Sequence, residues 1–368
     1  MTELTVSLGE RSYPILIGTG TLDELPALLQ RIQVQGTLAI CTDSNVGPLY
    51  AGKVESLVAS AGFAAVTCMM PAGEEHKRLD RIEELCGQFL EAGLDRSSLV
   101  IALGGGVVGD VAGYAAASFM RGVRFVQIPT SIVAQVDSSV GGKTGVNHPL
   151  GKNTIGAFHQ PSGVVIDLEF LLTLPERELR AGLAEVIKHG IIADDVLFRY
   201  LEDNVGPILA KELEAIEFPV VRSCEIKSAV VAADEREHGL RANLNYGHTF
   251  GHGIESVTRY ERYLHGEAIS LGMHAAGALS CNMGLVDDTF VERQRACLED
   301  YGLPVTWPDI PAETVMEAMR RDKKVRAGTM KFILADRIGH VVQRTDVSEE
   351  QTLTALGALR DASKGTPA

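Results

Sequence analysis

The run Gly104-Gly105-Gly106-Val107-Val108-Gly109-Asp110, entered from the apolar stretch 99–103, constrains this chain more than any other feature. An apolar run that ends in glycines predicts a buried strand turning sharply into a helix. A backbone without Cβ atoms also lets N–H groups approach an anion closely. The spacing Gly104-x-Gly106-x-x-Gly109 meets the dinucleotide-binding pattern. That fingerprint also wants an acid on a strand about 20 residues later to hold a ribose, and none is there. The acid available for this lies upstream, at Asp43 in Thr42-Asp43-Ser44-Asn45. A glycine run alone is more often a tight turn, so its surroundings decide.

Those surroundings alternate. Apolar strand candidates at 37–42, 63–69, 98–103, 124–128 and 163–167 are separated by helical stretches at 46–61, 77–93 and 106–118, the pattern of a mostly parallel, Rossmann-like sheet covered by helices. Before them, 4–8 and 13–17 read as a hairpin. From Glu176 on, helical patterning dominates (178–192, 211–233, 246–259, 268–284 and 348–360), with one late hairpin over 330–335 and 340–343. The expectation is an α/β N-terminal domain over 1–175 and a mainly α-helical C-terminal domain over 176–368. The stretch 268–286 carries no formal charge and is long enough to span a bilayer. Ser270, Gly272, His274 and Asn282 within it make it a buried helix instead.

A net charge of −14 argues against nucleic-acid binding, which draws on a basic surface, yet a local cluster of Lys and Arg can still meet an anionic substrate. The six cysteines form no CxxC and read as reduced core residues of a cytoplasmic protein, and the N-terminus has no signal-peptide pattern.

The helical half carries a metal constellation. His248-Thr249-Phe250-Gly251-His252 places two imidazoles one turn apart, His265-Gly266-Glu267 opens the next helix, and Glu185 stands with Lys188 on an otherwise apolar face. Zinc accepts imidazole nitrogen and carboxylate oxygen, and a catalytic site uses three protein ligands. An ionised pair on an apolar face is costly unless an ion or anion offsets it.

Taken together, Gly104–Asp110, Arg121-Gly122, Pro129-Thr130-Ser131, the stretch 135–147, Gly151-Lys152-Asn153, the stretch 182–188, Gly239-Leu240-Arg241, Leu244-Asn245, Gly247–His252 and His265-Gly266-Glu267 closely resemble the 3-dehydroquinate synthases. The resemblance covers nearly the whole chain. It implies conversion of 3-deoxy-D-arabino-heptulosonate 7-phosphate to 3-dehydroquinate and phosphate: transient oxidation by tightly held NAD+, phosphate elimination, re-reduction and intramolecular aldol closure, in the shikimate route to aromatic amino acids.

The same resemblance implies the site. Glu185, His248 and His265 would hold a divalent metal, zinc or cobalt, with His252 as proton relay or phosphate contact. Asp137, Lys143, Lys188 and Glu237 would bind hydroxyls and set the local proton balance. Lys152, Asn153, Asn245 and one of Lys323 or Lys324 would meet the phosphate. Arg241, with Lys227 beside it, would clamp the substrate carboxylate. Arg121 would reach a neighbouring subunit's phosphate pocket, which implies a homodimer. The cofactor would lie on Asp43, Asn45, Glu74, Lys77, Gly105, Gly106, Asp110, Thr130, Ser131, Lys143, Lys152, Phe170, Thr173, Leu174 and Glu178. The partners implied are a small sugar phosphate and a second copy of the chain, with neither nucleic acid nor membrane.

Three rivals remain on sequence. Other sugar-phosphate cyclases lack the substrate carboxylate that Arg241 would meet. A polyol dehydrogenase would need no phosphate pocket and would release NADH. An NAD-sensing binding protein would leave the metal constellation unexplained.

Overall fold

The computed structural model describes residues 1–307, 309–325 and 330–360, with the side chains of 322–325 left aside. It divides into two compact units, Met1–Leu174 with Ile216–Arg236, and Pro175–Ala215 with Glu237–Ala368.

The first unit is built on seven strands. β1 (Thr2–Val6) and β2 (Tyr13–Gly18) form the N-terminal hairpin, followed by α1 (Leu25–Arg31), β3 (Leu38–Asp43), α2 (Gly47–Ser60), β4 (Ala65–Met70), α3 (Leu79–Glu91), β5 (Leu99–Gly104), α4 (Gly106–Ser118) and β6 (Arg124–Pro129). A two-stranded hairpin, β7 (Lys143–His148) with β8 (Gly151–Phe158), precedes β9 (Val164–Asp167) and the short helix α5 (Phe170–Thr173). The sheet order is β1-β2-β9-β6-β5-β3-β4, antiparallel at β1/β2 and parallel elsewhere. Its central strands are buried on both faces. Leu38, Ile40, Leu99, Ile101 and Leu103 pack on one side, and Ala39, Cys41, Val100 and Ala102 on the other. That is why these segments are continuously apolar rather than alternating.

The second unit contains α6 (Glu176–Ala193), α7 (Asp195–Asp203) and α8 (Val205–Leu209). The next helix, α9 (Leu213–Ala233), passes into the first unit from Ile216 onward. The chain then returns through α10 (His248–Val257), α11 (His265–Asn282), α12 (Asp288–Asp300), α13 (Ala312–Val325), the hairpin β10 (Phe332–Arg337) and β11 (His340–Arg344), and α14 (Glu349–Gly357). Fourteen of the residues of α11 are buried, Gly272 and His274 among them. No helix among the described residues is long and apolar enough to cross a membrane. The six cysteines are free thiols.

Candidate functional site

Three helices of the second unit deliver the metal-ligating types, and glycines let them do so. Gly266 on α11 lies so close to α6 that a Cβ there would stand 1.7 Å from the Ala181 carbonyl oxygen. Gly272 lies nearly as close to the start of α10, where a Cβ would stand 2.1 Å from the Gly247 carbonyl oxygen. These contacts are backbone to backbone, so no side chain can relieve them. Glu185 from α6, His248 from α10 and His265 from α11 are thereby brought together, with one donor atom of each within 4.8 Å of the others.

Glu185 Oε1 is buried and accepts no hydrogen bond from any described residue. It stands 3.6 Å from both His248 Nε2 and His265 Nε2. A buried carboxylate oxygen left without a donor is expensive, and a cation between it and two imidazole nitrogens removes that cost. The donor set fits a divalent metal of the zinc or cobalt kind. His252 stands beside this group, its ring centroid 5.3 Å from His248 and 6.3 Å from His265.

Charge is tightly coupled here. Burial alone would raise the Glu185 carboxyl, but the Lys188 ammonium bonded to it, with His248 and His265, holds it well below the usual carboxylate range. Burial and Lys188 push the His248 imidazole down to about 3. For His265 burial acts downward, and its contacts with Glu185 and Glu255 outweigh it, raising the ring to about 10. The Glu185–Lys188 pair inferred from the apolar face is present, both residues 1% exposed.

In the first unit the glycine run does two jobs. Gly104 is required by packing, since a Cβ would lie 2.6 Å from Val108, while at Gly109 a Cβ would press the Gln127 side-chain oxygen at 2.8 Å. Gly105, which precedes the first turn of α4, and Gly106 meet only Ser131 Oγ at 3.5 Å and Ser138 side-chain atoms from 3.2 Å. The protein does not crowd Gly105, and at Gly106 a Cβ would press only the Ser138 hydroxyl, so their backbone fits a cradle for a diphosphate at the positive end of a thirteen-residue helix. Thr130 continues the strand edge, its N–H donating to the Gly104 carbonyl at 3.0 Å.

Beside this loop runs a polar network. Lys77 Nζ donates to Asp110 Oδ2 and Asn153 Oδ1, each at 2.5 Å. Burial lowers the Lys77 ammonium and raises Asp110; their mutual attraction acts against both, and with Glu74 it leaves Lys77 above its ordinary value. Glu74 Oε1 accepts from Asn147 Nδ2 at 2.8 Å and lies 3.7 Å from Lys152 Nζ. Asn153 sits on β8 with φ 53° and donates its N–H to Asn147 Oδ1.

Asp43 ends β3, and its Oδ1 accepts from the backbone N–H of Asn45 and Val46 at 2.8 and 2.9 Å. Phe170 packs edge-on against Tyr50, whose hydroxyl is 2.5 Å from Thr173 Oγ1, and Leu174 follows in the same turn. Lys227 Nζ donates to both the carbonyl and the Oδ1 of Asp137 at 2.5 Å, and Lys143 opens β7. Arg121 is exposed with φ 69°, directly after Met120 at φ 49°.

In the second unit, Arg241 is 2% exposed within the turn Leu240–Asn245. Asn245 Nδ2 donates to Glu237 Oε1 at 2.8 Å. Glu178 is in the first turn of α6, where burial raises its carboxyl. The side chains of Lys323 and Lys324 lie outside the described residues.

Two residues escaped the sequence reading. Asn147 links Glu74 to the Asn153 backbone, and Glu255 lies 3.3 Å from His265 Nδ1. Nothing local marks Asn147. Glu255 is seven residues beyond His248, a helical spacing that was visible.

Known proteins resemble this chain throughout its length. Two family models match, 3-dehydroquinate synthase N-terminal over residues 67–181 and 3-dehydroquinate synthase C-terminal over residues 182–325. A 3-dehydroquinate synthase of Acidithiobacillus ferrooxidans is 49% identical over 361 residues, which cover 98% of this chain and 99% of that protein. One of Geobacter metallireducens is 47% identical, over 97% of this chain and 100% of its own. Among solved structures, a 2-epi-5-epi-valiolone synthase from Streptomyces hygroscopicus, with NAD+ and Zn2+ bound, is 29% identical with a TM-score of 0.88, covering 96% of this chain and 98% of its own.

Proposed function

This chain belongs to the 3-dehydroquinate synthase family, and on that premise we propose how its own residues divide the work of the reaction. It is a lyase of the shikimate pathway, forming 3-dehydroquinate from a sugar phosphate with loss of phosphate. When bound, NAD+ accepts a hydride and later returns it, while the metal supplies Lewis acidity that favours ionisation of a hydroxyl.

Glu185, His248 and His265 hold the metal, Zn2+ with Co2+ as the alternative the same donors accept. The convergence of their three donor atoms around an undonated carboxylate oxygen is the observation that carries this assignment. Gly105 and Gly106 would hold the diphosphate of NAD+, with Asp43, Asn45, Glu74, Lys77, Asp110, Thr130, Ser131, Phe170, Thr173, Leu174 and Glu178 holding it further and Lys143 and Lys152 contributing. Lys188 keeps Glu185 ionised, so the ligand oxygen stays available without a proton. His252 moves a proton or meets the phosphate rather than holding the ion.

Arg241, with Lys227 beside it, presents a planar fork to the substrate carboxylate. Lys152, Asn153, Asn245 and one of Lys323 or Lys324 neutralise the phosphate. Asp137, Lys143, Lys188 and Glu237 orient the ring hydroxyls. Arg121, exposed at its bend, serves the phosphate pocket of a second copy, so the working form is a homodimer. The six free thiols suit the cytoplasm.

Metal content tests the ligand assignment. His265→Ala purifies without zinc and without activity, whereas His252→Ala keeps zinc and loses mainly rate. A zinc-free His252→Ala protein would overturn it.

A further inference from the structure

The carboxylate of Glu255 is buried, 3% exposed, and none of the roles above uses it. On α10 it stands seven residues beyond His248 and three beyond His252, so the three side chains share one helical face. Its Oε1 lies 3.3 Å from His265 Nδ1. The opposite ring nitrogen, Nε2, faces Glu185 Oε1 at 3.6 Å. The other ligand imidazole is held by a neutral group instead, His248 Nδ1 donating to the Tyr246 carbonyl at 3.2 Å.

A neutral imidazole has one proton and one lone pair. When an ion displaces the Nε2 proton, a carboxylate at Nδ1 holds the remaining proton there and leaves the Nε2 lone pair, on the side of Glu185 Oε1, for the ion. Burying a carboxylate costs free energy that an apolar residue of similar size would not. Space-filling alone therefore does not account for a glutamate here.

We propose that Glu255 is a positioning residue of the metal centre, fixing His265 in the tautomer and orientation that present Nε2 to the ion. This rests on the metal site proposed above. It assigns to Glu255 the part played by carboxylates behind metal-bound histidines generally, whose loss typically weakens metal binding about 10–100-fold.

The test is zinc affinity of the full chain, by competition with a chelator of known strength, for the unaltered protein, Glu255→Gln, Glu255→Leu and His265→Ala. Visible absorption of the cobalt-loaded proteins serves as a readout of ligand geometry. Glu255→Gln keeps the shape and loses the charge, so it should bind zinc about tenfold more weakly; Glu255→Leu should lose about a hundredfold, with displaced cobalt bands. If Glu255→Leu does not fold, Glu255→Gln decides alone. Zinc affinity within twofold of the unaltered protein and unshifted cobalt bands in Glu255→Gln would overturn the positioning role. Retention of zinc by His265→Ala would instead overturn the ligand assignment beneath it, and with it the role of Glu255.

Discussion

Adding one methyl group at Gly266 should dismantle the metal centre without touching a ligand. The new Cβ would lie 1.7 Å from the Ala181 carbonyl oxygen and 2.5 Å from its carbon. Real Cβ atoms keep at least 3.0 Å, so α11 must retreat from α6 by about 1.3 Å, and the backbone atom it meets cannot rotate aside. His265 is adjacent to the contact on one helix and Glu185 is one turn from it on the other. Their 3.6 Å approach should therefore widen by a comparable amount. Ligand distances in metal sites hold to about 0.2 Å, several times less than this displacement. Overpacking of this kind costs about 1–3 kcal/mol. For a domain of this size a loss of about 2 kcal/mol lowers the melting temperature by roughly 4–8 °C. Calorimetry should find that drop, and chelator competition should find zinc bound at least tenfold more weakly. A Gly266→Ala protein with undiminished zinc affinity would refute the idea that the crossing of α6 and α11 sets the ligand geometry.

Three further outcomes are expected. Arg241→Lys replaces a planar fork with a point charge, so substrate affinity should fall at least tenfold, since losing one partner of a buried charge pair costs about 2–5 kcal/mol; an analogue with the carboxylate reduced to an alcohol should lose little further, and equal losses for both ligands in both proteins would give Arg241 another role. Mixed Arg121→Ala and Lys152→Ala subunits should regain activity, about a quarter of sites being intact at random assortment in a twofold dimer; verified heterodimers that stay inactive would confine Arg121 to its own chain's pocket. His274, 6% exposed, has its imidazole pushed down to about 4, first by burial and then by Arg295. Its neutral form favours the fold above pH 6.5, and that contribution is lost as pH falls toward 4, up to about 3 kcal/mol. Denaturant titrations should show His274→Leu losing correspondingly less stability over that interval; equal losses would exclude the imidazole as the cause.

The central parallel strands were legible because they are buried on both faces and read as unbroken apolar runs, so 98–103 and 124–128 match β5 and β6 within a residue or so at each end. The β7–β8 hairpin was not legible. β8 is exposed or half-buried throughout, and Gly145 and Gly156 interrupt the two strands, so no apolar run marks them. In the structure their Cβ atoms would strike the opposing backbone at 2.5 and 2.1 Å, so these glycines serve strand contact. Periodicity marked 211–233 as helical, but it carries nothing on which unit a helix packs with, and Ile216–Arg236 groups with the first. His248 and His265 stood out by the spacing of the histidines, and Glu185 because an ionised pair with Lys188 on an apolar face is costly. Glu255 did not, because an acid on a helix is ordinarily solvated and only three-dimensional contact shows this one buried.

The most direct measurement follows turnover with the heptulosonate phosphate and NAD+ at catalytic concentration, in metal-loaded, chelator-treated and zinc-restored protein. Phosphate and 3-dehydroquinate should appear in equal amounts without accumulation of NADH, stop when the metal is removed, and resume with zinc. NADH rising in step with substrate loss, or turnover that survives complete metal removal, would contradict the account.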